Sequence, residues 1–329
     1  MRTGERDYRL DLLRVIAMSM IVLMHSPMPN GAAPGFVLAG ISYATAPGIG
    51  LFFMISGALL LGNRLTTREF LKRRFSKVMF PTLIWSLFYL ALSSVKASVP
   101  AGELAQKVLS IPFSAVGHGV LWFMYTLVGL YLLTPILSRW LKSVSKRELE
   151  FYLFLWGVTL VYPYLKVFLT INESPTGPLY YFAGYAGYFL LGYYLKEYYS
   201  FKRGHVVAAV AIALVVPALL YSSGREFDFY SMLWYLSLPV VSMAVCWFVL
   251  VRQLPNKKIP IIGEVSKLSF GIYLVHIFIM RDVVWKIDLI SQMPGLVQIL
   301  VIVVMTFALS LMAAWLISRL PFSKYIIGV

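Results

Sequence analysis

The run Leu10–His25, LDLLRVIAMSMIVLMH, sets an acid, a guanidinium and an imidazole in a stretch otherwise suited to lipid. Ionisable groups inside a membrane span are costly and face a protein interior or a wet cavity. Arg14 and His25 stand eleven residues apart. On a helix that offset is about 20° past three full turns, so the two share one stripe roughly 16 Å apart along the axis. Asp11 precedes Arg14 by three residues and can pair with it, but it lies too far down the helix to orient His25. A neutral imidazole, with a pKa near ~6.5, can take a proton from an attacking hydroxyl. A guanidinium can stabilise a developing oxyanion. Each residue also has a plainer reading: Arg14 as a snorkelling cation, His25 as an interfacial ring before Ser26-Pro27.

Other polar residues compete for a role. His118 is followed by Trp122 at i+4 and Tyr125 at i+7. That aromatic stripe suits a sugar ring or, equally, an interfacial belt. His276 falls halfway along an expected span with Tyr273 at i−3, and it reads as a functional ring or as a packed, hydrogen-bonded one. Hydroxyls of Ser56, Tyr125 and Tyr273 are candidate hydrogen-bond donors in or beside the expected spans. Ser56-Gly57 reads first as close helix packing. His25, His118 and His276 belong to three different helices, and no metal site is expected from them. No phosphate-cradling glycine loop or His-Glu-x-x-His run is present.

These side chains need a scaffold in the membrane. Hydrophobic residues make up 60% of the 329 and charged residues 13%, about half the charge of a soluble domain. Apolar runs near ~20 residues match a hydrocarbon core. The expected fold is an all-α, polytopic transmembrane helical bundle of about ten spans. They lie near 10–28, 43–62, 78–96, 118–138, 150–170, 179–198, 205–222, 231–251, 268–286 and 296–318. One membrane domain covers 1–329, without an internal repeat. The first run is read as an anchor and not as a cleaved signal, because Asp11 and Arg14 fall inside it. Cys246 is the single cysteine, so no disulfide forms within the chain.

Lysines and arginines in short loops mark the cytoplasmic side. With the N-terminus inside, 23 of the 29 basic residues fall on inner ends and loops, and the 14 acids divide 8 inside and 6 outside. The net charge of +15 is therefore a topology signal carried by the cytoplasmic face, with both termini inside, and not a nucleic-acid footprint. The expected location is the cell (inner or plasma) membrane, and the bilayer is the first partner.

The densest basic run is FLKRRFSKVMFP, residues 70–81. Thr66 and Glu69 form a capping-box pattern that predicts a helix start. Arg73 and Lys77 are i,i+4, Arg74 and Lys77 are i,i+3, and their heads can converge on one anion. By itself the run reads as a positive-inside stop or an anionic-lipid contact.

Taken in order, these segments resemble the acyltransferase 3 family of integral membrane acyltransferases. Arg14 and His25 match its first-span Arg-x10-His pattern. LFFMISGALLL (51–61) resembles its Phe-Phe-x-x-Ser-Gly span, and 70–81 its basic loop. LWFMYTLVGLYLLTPIL (121–137) and LSFGIYLVH (268–276) resemble later segments. The resemblance implies transfer of an acyl group, most simply acetyl, from a cytoplasmic acyl-coenzyme A to a hydroxyl of a cell-envelope sugar, polysaccharide or glycolipid. It implies a catalytic His25 aided by Arg14, and a donor site at Arg73, Arg74 and Lys77. Acyl-CoA would be a substrate, with no bound cofactor. One departure stands out: Arg74-Phe-Ser-Lys77 replaces Arg-x-x-Arg, so a point charge takes the place of a bidentate fork. The residues alone also suit a transporter or flippase of a glycolipid or small molecule. Direct general-base attack and an acyl-histidine intermediate are both compatible with His25.

Overall fold

A computed structural model describes residues 6–29, 31, 33–63, 65–97, 99–115, 119–171 and 177–329. The described residues form helices and turns, with no strand among them. Among the described residues, six helices are long and apolar enough to cross a membrane: Gly35–Leu60, Thr67–Ala97, Gly119–Trp140, Arg203–Ser222, Pro260–Lys286 and Gly295–Ser318. In chain order we label Tyr8–His25 α1, Gly35–Leu60 α2, Thr67–Ala97 α3, Ala101–Ser110 α4, Gly119–Trp140 α5, Lys146–Thr159 α6 and Ala186–Glu197 α7. Arg203–Ser222 is α8, Leu238–Gln253 α9, Pro260–Lys286 α10, Gly295–Ser318 α11 and Ser323–Ile326 α12.

The four remaining expected spans differ for identifiable reasons. α1 has the length, 18 residues, but carries Arg9, Asp11 and Arg14. The stretch 150–170 is broken after Thr159, where the chain restarts as a single turn Tyr162–Leu165 with Pro163 at its front. The stretch 179–198 is broken at Gly184, whose φ of 93° ends a short turn and leaves a 12-residue helix, α7. At 1.5 Å per residue, α7 is about 18 Å long against a core of about 30 Å. α9 begins only at Leu238 behind an extended Ser237, with Pro239 in its first turn, and has 16 residues.

The chain divides into two units. One comprises 1–27, 32–63 and 137–266, and the other 28–31, 64–136 and 267–329. In the first, α2 packs against α1, α7 and α9, and α8 lies against α9. Glycines set the closest approaches. A Cβ on Gly57 would meet the Phe189 carbonyl oxygen at 1.8 Å, and one on Gly192 the Met54 carbonyl oxygen at 1.9 Å. α2 and α7 therefore touch backbone to backbone, as small residues allow between membrane helices. Trp156 donates its indole N–H to the Gly184 carbonyl at 2.9 Å, tying α6 to the break before α7.

In the second unit, α3 opens with the capping box that the sequence predicts. The Thr66 N–H donates to Glu69 Oε2 at 3.0 Å, and the Glu69 N–H to Thr66 Oγ1 at 3.3 Å. One π-helical turn, Leu71–Phe75, follows before the α-helix resumes at Ser76. α12 packs on α3, and α11 on the end of α10 and on α12.

Candidate active site

α1 starts at Asp7, whose carboxylate accepts from the Arg9 N–H. One turn on, Asp11 is buried, at 5% exposure. Its carboxylate accepts from Arg6 at 2.8 and 3.0 Å and from the Ser266 hydroxyl at 2.8 Å. Arg14 approaches the same carboxylate at 3.8 Å. The acid inside the span is thus met by two guanidiniums and a hydroxyl, as a buried charge requires. Asp11 also borders a mostly apolar cavity of about 230 Å³ shared with Tyr8, Arg9, Leu12 and Lys257.

His25 is the last residue of α1 and is half-buried. The next residue, Ser26, is fully buried and donates its hydroxyl to the Leu23 carbonyl at 2.7 Å. On the preceding residue, the Met24 sulfur accepts from the Tyr235 hydroxyl at 3.4 Å. The helix end that carries the imidazole is therefore pinned from both sides. With α1 unbroken from Tyr8 to His25, the shared stripe of Arg14 and His25 follows from helical geometry. Ser56 is half-buried on α2, one position before the closely packed Gly57.

In the second unit, Arg73, Arg74 and Lys77 line one pocket of about 690 Å³ with Lys72, Ser76, Phe80, Lys324 and Tyr325. The π turn falls here, with the Ser76 N–H reaching back to the Leu71 carbonyl. Lys72, Arg73 and Arg74 lie within this turn, and Lys77 follows where the α-helix has resumed. Lys324, Tyr325 and Phe80 were not singled out by sequence reasoning. Lys324 and Tyr325 are some 250 residues away in the chain and reach the pocket only because α12 docks on α3. A basic residue in the last apolar-flanked turn was the sole signal.

The other candidates are largely committed to structure. The Tyr125 hydroxyl donates to the Ile111 carbonyl at 2.7 Å and lies 2.9 Å from the buried Ser86 hydroxyl. Tyr273 donates to the Val120 carbonyl, and its ring packs on Phe123 at 5.3 Å. His276 is 1% exposed. Its Nδ1 lies 2.5 Å from the Tyr273 carbonyl. A carbonyl only accepts, so Nδ1 carries a hydrogen. Trp122 is half-buried and edge-on to Phe123 at 6.4 Å. His118 lies outside the described residues. The first unit holds a further cavity of about 340 Å³, lined by Tyr162, Tyr180 and Tyr230 with Thr159 and Ser231, that carries no formal charge.

The chain thus carries a half-buried imidazole at a helix end, a guanidinium on the same stripe and a five-cation pocket. No curated protein and no solved structure matched it. The family model described as the acyltransferase domain, Acyl_transf_3, matches residues 7–315, a range that contains both Arg14 and His25 and the whole basic run. Together with six membrane-length helices, that match makes the chain a membrane protein of the acyltransferase 3 family.

Proposed function

We propose that this acyltransferase takes an acyl group, acetyl in the simplest case, from acyl-coenzyme A and passes it to a hydroxyl of a cell-envelope sugar, polysaccharide or glycolipid. The observation that carries the reading is the pocket at the head of α3, where Lys72, Arg73, Arg74, Lys77 and Lys324 surround about 690 Å³. Coenzyme A presents a diphosphate and a ribose phosphate, and charge-assisted bonds from clustered cations suit such a headgroup. In this reading the pocket faces the cytoplasm, as its basic residues favour.

In this reading the donor's thin pantetheine arm runs past Arg14 to His25, both on the one helix α1. The roughly 16 Å between Arg14 and His25 is comparable to the reach of the arm. His25 takes the proton from the acceptor hydroxyl as that oxygen attacks the thioester carbonyl carbon. The carbon–sulfur bond breaks, and the proton leaves with the coenzyme A thiol. Arg14 supplies positive charge to the oxyanion or to the donor, while Asp11 and Ser266 hold the lower end of α1. The uncharged tyrosine-lined cavity suits sugar hydroxyls and ring faces. Interrupted helices such as α6 and α7 are also found in transporters. A transporter, however, would move its cargo without consuming a thioester.

The test is a mass measurement on acceptor glycans incubated with the purified full chain and acetyl-CoA. The expected result is a mass gain of one acetyl group per modified hydroxyl, lost in a folded variant carrying Arg73→Glu, Arg74→Glu and Lys77→Glu. A gain that persists undiminished in that variant would remove the donor site from the basic run.

A further inference from the structure

Cations alone hold any polyanion, whether a phospholipid headgroup or a nucleotide. The pocket at the head of α3 has a second feature that discriminates between them. Phe80 and Tyr325 both line it, are 38% and 37% exposed, and stand edge to face with centroids 5.3 Å apart. Lys324 places its ammonium 4.7 Å from the centroid of the Tyr325 ring. We propose that Lys324 and the Tyr325–Phe80 corner recognise the adenine-nucleotide end of the donor. The inference rests on the reading that this pocket takes the thioester donor.

The segment that presents these residues is firmly held. Trp85 donates its indole N–H to the Ile326 carbonyl at 2.9 Å, and the Ser323 hydroxyl donates to the Val329 carbonyl at 2.7 Å. Ile327 is fully buried and lies against Gly271. Gly328 has a φ of 74°, and a Cβ there would meet the Lys77 carbonyl oxygen at 2.8 Å. Lys324 and Tyr325 are thus fixed beside the basic run before any ligand arrives, which lowers the ordering cost of binding. The ammonium over the exposed ring is a weak contact that exchanges readily. A purine can take its place on the ring while the ammonium moves to a phosphate, where a charge-assisted bond is stronger. A carrier protein's phosphopantetheine has one phosphate and no base, and would use neither ring.

The experiment titrates coenzyme A and adenosine 3′,5′-bisphosphate into the full chain in phosphatidylcholine nanodiscs, with thermal unfolding as the check on folding. The bisphosphate carries the base without the pantetheine arm. It is expected to bind the unaltered protein, and both ligands should weaken roughly 5- to 150-fold in Tyr325→Leu, the range of one base–aromatic stack. Lys324→Ala should weaken both as well, with a shallower salt dependence. Phe80→Leu serves as the second ring variant should Tyr325→Leu not fold. Unchanged affinity in the folded ring variants would overturn the proposal. If the triple reversal at Arg73, Arg74 and Lys77 still abolished coenzyme A binding, the donor reading would survive that result. If the reversal were silent too, the donor reading would fall with it. Nanodiscs containing phosphatidylglycerol supply the lipid arm. Displacement of coenzyme A by that lipid, equal in the unaltered protein and in Tyr325→Leu, would mark a headgroup site and overturn the nucleotide assignment.

Discussion

His25→Ala is expected to lower acyl transfer by about 10²- to 10⁴-fold, the usual contribution of a positioned general base, while donor affinity stays within about twofold of the unaltered protein. The split follows from where the groups sit. The imidazole closes α1 at a half-buried position, whereas the cations that would hold the donor lie on α3 and α12. Asp11 is engaged by Arg6, Arg14 and Ser266 and lies fourteen residues before His25, so no loss of α1 anchoring accompanies the change. The assay is release of free coenzyme A thiol in the presence of acceptor, run beside a donor-binding titration. A variant that releases thiol at the normal rate would take His25 out of the chemistry.

Gly57→Ala carries the largest expected structural effect. Its new methyl carbon would stand 1.8 Å from the Phe189 carbonyl oxygen, 2.7 Å from the carbonyl carbon and 3.0 Å from its Cα. All three are backbone atoms of α7, so no side-chain rotation relieves the clash. The helices must separate, and Gly192 from the other side, 1.9 Å by the same measure from the Met54 carbonyl oxygen, would lose its contact as well. The cost should exceed the ~1–3 kcal/mol of ordinary overpacking and leave little folded protein in detergent. Size-exclusion profile and thermal unfolding read this directly. A monodisperse variant melting within a few degrees of the unaltered protein would contradict the backbone-to-backbone packing of α2 on α7.

Legibility in the sequence followed the range of the interaction. The capping box at Thr66 and Glu69 is a contact across three residues, and its spacing gave both hydrogen bonds. Arg73, Arg74 and Lys77 were legible as one cluster for the same local reason. The π turn that contains Lys72 has no comparable local mark. Ser56-Gly57 read as packing because a small residue in an apolar span has few other uses, and the Gly57 contact bears that out. Hydropathy counts composition and not continuity, so it registered 150–170 and 179–198 as spans. The breaks come from Pro163 and from the positive φ of Gly184. Lys324 and Tyr325 escaped notice because only the docking of α12 on α3 gives them a pocket to line. The Tyr125 and Tyr273 hydroxyls looked available in sequence, yet both donate to backbone carbonyls of other segments.

A coenzyme A thioester in the cationic pocket at the head of α3 is the donor we propose. Radiolabelled acetyl-CoA titrated into the purified full chain across a salt series measures it most directly. The expected result is saturable binding that weakens steadily as salt rises and vanishes when Arg73, Arg74 and Lys77 are reversed in charge. A folded, unaltered protein that shows no saturable binding at low salt would contradict it.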